Sequence, residues 1–290
     1  RGAITLWFDE KSLKNWHKIN TCKTPGRPFV YAEQAILCLL TIKSLLNLSL
    51  RVTQGFALSL IKILGITGIK IPDYTTLSRK QKDIHVPQTN TVKGPVHLVF
   101  DSTGLKVFGE GEWKVRQHGI SKKRTWRKLH LAIDEKSGEI LSSSLSSNDV
   151  SDGKMLSDLL KQIKNPIKQA SGDGAYDTHN NYNMLEKKGA KVSIPPKQGA
   201  VFSGTGFLRP ILTARNRNIA VIKILGKKYW KKLSGYHRRS LAETTMMRFK
   251  TTFGPNLQAR KFENQATEVF IKCNILNKMT QLGKPISYRI

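Results

Sequence analysis

The chain has 290 residues, 39% of them hydrophobic, and sets 49 Lys or Arg against 20 Asp or Glu for a formal net charge of +29. That length fits one large core or two smaller ones, and the apolar content excludes a disordered basic tail. A field of this sign repels itself in a compact chain unless a polyanion is the working partner, and nucleic acid is the commonest one. No charge-free run approaches the roughly 18 apolar residues of a membrane span, and nothing at the start reads as a signal peptide, so a cytoplasmic protein without a membrane partner is expected. Cys22, Cys38 and Cys273 are far apart and not spaced as metal ligands, which suits buried or idle thiols in a reducing compartment. The chain opens on Arg1, and an N-terminal piece is expected to precede it.

Residues 1–90 read as a helical domain. Apolar residues recur helically over Tyr31–Leu46 and again over Val52–Leu64. Asp73 is then the expected N-cap of a short basic helix carrying Leu77, Arg79 and Lys80. A helical pair followed by such a helix suits a DNA-reading helix-turn-helix and suits an ordinary bundle equally.

Residues 91–290 read as an α/β domain. Val96–Phe100 is a short strand expected to end on Asp101, and Trp126–Ile133 alternates as a second strand. Ile140–Ser146 follows a Gly-containing turn and pairs back as a hairpin. A helix over Asp152–Ile163, a weak strand at Gln169–Gly172 leading to Asp173, a helix over Thr178–Lys188 and a strand at Val192–Ile194 come next. A helix over Asn218–Leu233 precedes the last stretch, and a small insertion is expected around 197–233. This order predicts a ribonuclease H-like core, a mixed five-stranded sheet with helices, in which ligands gather near strand carboxyl ends.

The stretch from Lys187 to Lys261 holds eighteen Lys or Arg and a single carboxylate, Glu243. Drawn as one α-helix, Tyr236, Arg239, Glu243 and Lys250 fall within a band of roughly 60° and point the same way. Arg239 and Glu243 are also spaced as an ordinary i, i+4 surface pair. A carboxylate that must meet a phosphodiester, however, needs a cation between them, and Mg²⁺ binds carboxylate oxygens together with phosphate and water. Two such ions support an in-line displacement, and about three carboxylates hold them. Asp101, Asp173 and Glu243, 72 and 70 residues apart, supply that set. Asp177 is the rival for the middle place, although it lies nearer the following helix cap.

Tyr236-x2-Arg239-x3-Glu243-x6-Lys250 resembles the Y-R-E-K signature of bacterial insertion-sequence DDE transposases. Asp101-Ser102-Thr103-Gly104 and Gly172-Asp173-Gly174-Ala175-Tyr176-Asp177 are similar to that family's first and second acidic blocks. Further similar stretches are Pro72–Arg79, Trp126–His130 and Phe262–Thr267, so the resemblance spans nearly the whole chain.

The resemblance implies a prokaryotic, nucleoid-associated DNA transposase. It would bind the terminal inverted repeats of an insertion sequence, pair two ends as a homodimer or higher homo-oligomer, cleave there and join the 3′-hydroxyl to target DNA. Asp101, Asp173 and Glu243 would be the catalytic ligands of two Mg²⁺ or Mn²⁺ ions. Tyr236, Arg239 and Lys250 would contact the DNA end, with Arg238, Lys231 and Lys232 adding charge beside it. Trp230 suits stacking on an unpaired base or a place in the core of its helix. His130 suits a DNA-facing or a structural role. A ribonuclease H-like nuclease without strand transfer, or a catalytically silent transposase-derived DNA-binding protein, is the alternative.

Overall fold

The computed structural model describes residues 15–17, 31–107, 126–203 and 213–283; Cys22 and residues 204–212 of the expected insertion lie outside these. The chain divides into two compact units. One takes residues up to Pro87 together with Ala259–Ile275, and the other takes Gln88–Gln258 together with the chain from Leu276. The sequence reading placed the division near residue 90 and did not foresee residues 259–275 in the first unit.

The first unit is helical. Helices α1 (Glu33–Leu45) and α2 (Leu50–Ile63) turn by 109° about the break between them, and α3 (Tyr74–Lys80) follows. Asp73 caps α3 as expected, its Oδ1 accepting from the Thr75 backbone N–H at 2.8 Å. Ala35, Leu39, Leu40 and Leu77 are buried, which is the apolar periodicity of the sequence turned inward. No single described helix is long and apolar enough to cross a membrane.

The second unit is built on a sheet. Its strands are β1 (Val96–Val107), β2 (Trp126–Asp134), β3 (Ile140–Ser147), β4 (Ile167–Ser171), β5 (Lys191–Ser193) and β6 (Asn256–Leu257). The order is β3-β2-β1-β4-β5, with β6 added against the far end of β1. β2 pairs antiparallel with both β1 and β3, whereas β4 and β6 are parallel to β1 and β5 is parallel to β4. This is the ribonuclease H-like arrangement the element order predicts, with one short strand more. Helices α4 (Asp152–Gln162) and α5 (His179–Lys187) cover one face, packing Leu156, Leu159, Tyr182 and Leu185 against Leu98, Phe100 and Ala170.

Three local readings change. β1 does not stop before Asp101: residues 102–106 go on pairing with Trp126–His130, so Asp101 lies inside the strand, opposite Leu131. Gly235, at φ 66°, stands just before the expected single helix of Tyr236 and Lys250. A 3-10 turn at Tyr236–Arg239 and helix α7 (Ser240–Phe253) replace it. Helix α6 (Ala214–Ser234) is two helical segments that meet at Gly226, whose φ of 82° is open to glycine and strained for any L side chain.

Candidate active site

Strand register brings the first two acids together. Val99 of β1 lies beside Ser171 of the parallel β4. Two residues further along each chain, on the same face of the pleat, come Asp101 and Asp173. Asp173 has left the strand, and its Oδ1 accepts from the Ala175 backbone N–H at 2.9 Å, opening the 3-10 turn Gly174–Tyr176. Gly172 permits this approach, because a Cβ there would lie 2.1 Å from the buried ring of Phe100.

The third acid arrives on α7. Phe249 and Phe253 are buried beneath that helix, and after Gly254 the chain joins β1 through β6, with the Lys106 N–H donating to the Pro255 carbonyl at 2.9 Å. This closure lays α7 along β1 and sets Glu243 in the first turn, where the helix N-terminus favours negative charge. Arg239 completes the arrangement. Its Nη1 donates to Asp101 Oδ2 at 2.7 Å and its Nη2 donates to Glu243 Oε1, so one guanidinium spans two of the three carboxylates.

The electrostatics follow from this crowding. Burial raises the Asp101 carboxyl above its ordinary value; the Ser102 N–H and Arg239 oppose that rise, and Asp173 and Glu243 add to it. Burial likewise raises the Tyr236 hydroxyl. A cleft of about 550 Å³ opens beside the acids and is lined by Asp101, Thr103, Glu243, Met247 and Lys250 among others. The three acids, Arg239, Tyr236 and Lys250 thus share one region, although Tyr236 and Arg239 reach it from a 3-10 turn and not from the helix of Glu243.

Asp177 is engaged elsewhere. Arg215 holds it in a bidentate pair, Nε to Oδ1 at 2.7 Å and Nη2 to Oδ2 at 3.2 Å, and the Lys197 N–H donates to Oδ2 at 2.9 Å. With its side chain fully buried, Asp177 pins the fold.

Two families of sequence resemblance match the chain, each described as a transposase DDE domain, over residues 1–110 and 92–278. The chain belongs to the transposase DDE domain family. Among solved structures it is similar to the piggyBac transposase in a synaptic complex with hairpin DNA, at 10% identity and a TM-score of 0.40, covering 95% of this chain and 73% of that one. It is also similar to the Drosophila P element transposase in a strand transfer complex, at 10% identity and a TM-score of 0.33, covering 92% and 84%.

Other expected DNA contacts of this transposase are placed differently. Trp230 is a core residue: it is 1% exposed, donates from Nε1 to Asn218 Oδ1 at 3.0 Å and packs on Tyr236 with ring centroids 5.3 Å apart. It has no free face for a base. Arg238 pairs with Glu135 while staying largely exposed. Lys231 lies 5.9 Å over the Tyr236 ring, and Lys232 is exposed. His130 is buried against Ser146 Oγ at 2.8 Å, which makes it structural.

Sequence reasoning missed a polar support behind Asp101. Asp152, at the start of α4, accepts from Ser102 Oγ at 2.9 Å and from Lys128 Nζ at 3.2 Å. The buried Tyr176 hydroxyl makes no hydrogen bond, and its acidity is depressed by burial first and then by Asp152, Asp101 and Asp173. Asp152 follows an Asn-Asp-Val-Ser run that reads only as a helix start, so the signal available was the neighbouring Ser102 in the first acidic block.

Among the described residues no three His, Cys, Asp or Glu side chains stand close enough to hold one ion as they are. The donor set nevertheless fits a hard cation: oxygen ligands only, mutually repelling, with a guanidinium drawn between two of them.

Proposed function

We propose that this chain is a DNA transposase that binds the terminal inverted repeats of an insertion sequence, cleaves the phosphodiester at each end and joins the 3′-hydroxyl to target DNA. The observation that carries the reading is the shared guanidinium: Asp101 and Glu243, 142 residues apart in sequence, meet on Arg239 beside Asp173. Acids this crowded in so basic a chain call for a cation between them and a polyanion beyond.

Asp101, Asp173 and Glu243 would hold Mg²⁺ or Mn²⁺, two ions per site. When bound, such ions lower the pKa of the attacking hydroxyl and stabilise the leaving oxygen. The chain's own groups bind and orient the DNA. Lys250 offers an ammonium to a phosphate at the cleft. Arg239, once released from its carboxylates, is a bidentate phosphate donor, and Tyr236 beside it is held by Trp230. Arg238, Lys231 and Lys232 extend the positive rim. Exposed Arg79 on α3 gives the helical unit a basic helix for duplex DNA. Two ends are brought together by a homodimer or a higher homo-oligomer.

Glu243→Gln tests this directly. The variant is expected to bind duplexes carrying the element's ends at least as tightly as the wild type and to cleave none of them in Mg²⁺ or Mn²⁺. Normal cleavage by this variant would remove Glu243 from the site. Pre-cleaved ends offered with a target plasmid separate the readings further, because a nuclease that only hydrolyses gives no joined product and a silent binding protein gives no product from either substrate.

A further inference from the structure

The two segments of α6 form a hairpin. Trp230 Nε1 lies 3.0 Å from Asn218 Oδ1, yet 12 residues of continuous helix would separate their backbones by about 18 Å, so the chain folds back at Gly226. The base of this hairpin is fixed. Asn218 Nδ2 donates to the Val192 carbonyl of β5 at 3.1 Å and to the Tyr182 hydroxyl at 3.1 Å, and Ile219 and Trp230 are buried.

The tip is the opposite. Every residue from Lys223 to Tyr229 is exposed, including Ile224 at 78%, Leu225 at 52% and Tyr229 at 51%. Lys223, Lys227 and Lys228 flank these apolar groups. An exposed aliphatic point on a hydrogen-bonded hairpin base, with Lys side chains before and after it in sequence, has the chemistry of a side-chain wedge that separates stacked bases while cations take the adjoining phosphates. A second copy of the chain fits less well. No Asp or Glu occurs from residue 187 to 242, so a two-fold contact at the tip would set lysines against lysines.

We propose that the tip of this hairpin enters duplex DNA between base pairs, with Leu225 and Ile224 as the wedge and Lys227 and Lys228 on the neighbouring phosphates. The inference rests on the DNA reading above and adds to it a place where the duplex is opened.

The probes are duplexes taken from the DNA on either side of the coding region, each with 2-aminopurine at one adenine. Binding is followed by anisotropy across a salt series and base unstacking by 2-aminopurine fluorescence. The wild type is expected to raise fluorescence at one position near an end. Ile224→Ser with Leu225→Ser should abolish that rise and weaken binding about tenfold, the scale of one aliphatic side chain's lost burial, while keeping the salt slope. Lys227→Gln with Lys228→Gln should flatten the slope by about 1.8, or about 0.9 per phosphate contact. All four side chains are exposed, and circular dichroism with an unchanged melting temperature checks that each variant folds. A wild-type fluorescence rise in the Ser variant overturns the wedge. So does a wild type that binds without any rise, or a Ser variant that only loses self-association in sedimentation. A wild type that binds none of the duplexes overturns the DNA reading itself.

Discussion

Asp173 and Asp177 stand four residues apart, and exchanging each for Asn should separate a chemical role from a structural one. Asn at 177 retains an oxygen for Arg215 Nε but puts an amide where Oδ2 accepted from Arg215 Nη2 at 3.2 Å and from the Lys197 N–H at 2.9 Å. The guanidinium, whose side chain is 11% exposed, is then left without its counter-charge. Removing one partner of a buried ion pair costs about 3–5 kcal/mol, which for a chain of this size lowers the melting temperature by roughly 10 °C. Asn at 173 has the opposite balance. It still caps the turn through Ala175, and it takes away one of the charges that raise the Asp101 carboxyl, so stability should stay within about 1 kcal/mol of the wild type. Thermal melts and end-cleavage assays on the two variants together give the answer. Asp173→Asn is expected to melt normally and cleave nothing, while Asp177→Asn should melt early and cleave at temperatures where it is folded. A stable but inactive Asp177→Asn, or an active Asp173→Asn, would refute the assignment.

Arg239→Ala should destabilise the DNA-free protein by about 2 kcal/mol in urea unfolding, mostly through the partly buried Asp101 contact, because Glu243 is 57% exposed and its pairing is weak. Arg239→Lys should recover less than half of that, since an ammonium does not span two carboxylates. Gly172→Ala should cost about 1–3 kcal/mol and reduce cleavage, because its Cβ would drive the Phe100 ring or the Asp173 backbone aside; thermal melts beside cleavage rates check it. Burial lowers His130 from 6.5 to about 4, so the unfolded chain takes up the proton first. Stability is therefore full above pH 6.5 and drains as the pH falls towards 4, by about 3 kcal/mol from this residue. Urea midpoints at pH 7 and pH 4.5 should diverge less in His130→Gln than in the wild type.

The parts of the fold legible in the sequence are those whose pattern is local. β2 alternates, β3 follows a Gly-containing turn, α4 and α5 show apolar periodicity, and Asp73 caps α3 through the Thr75 N–H two residues on, a helix start that needs no distant partner. The strand end after Phe100 was misplaced because the apolar run stops there, and only pairing of residues 102–106 with Trp126–His130, set by the tertiary fold, keeps the chain extended. The same division runs through the site. The three acids were candidates from their types and from the resemblance, but the path that brings them near one another was not legible: it runs through the Val99–Ser171 register and through β6, a strand of two residues. Trp230 and Asp177 show the limit most clearly. Each was open to a chemical or a structural role, and what decides is a partner distant in sequence: Asn218 across the fold at Gly226 for one, Arg215 for the other. The type of a polar or aromatic side chain in a basic stretch therefore leaves its role open until the fold supplies its partners.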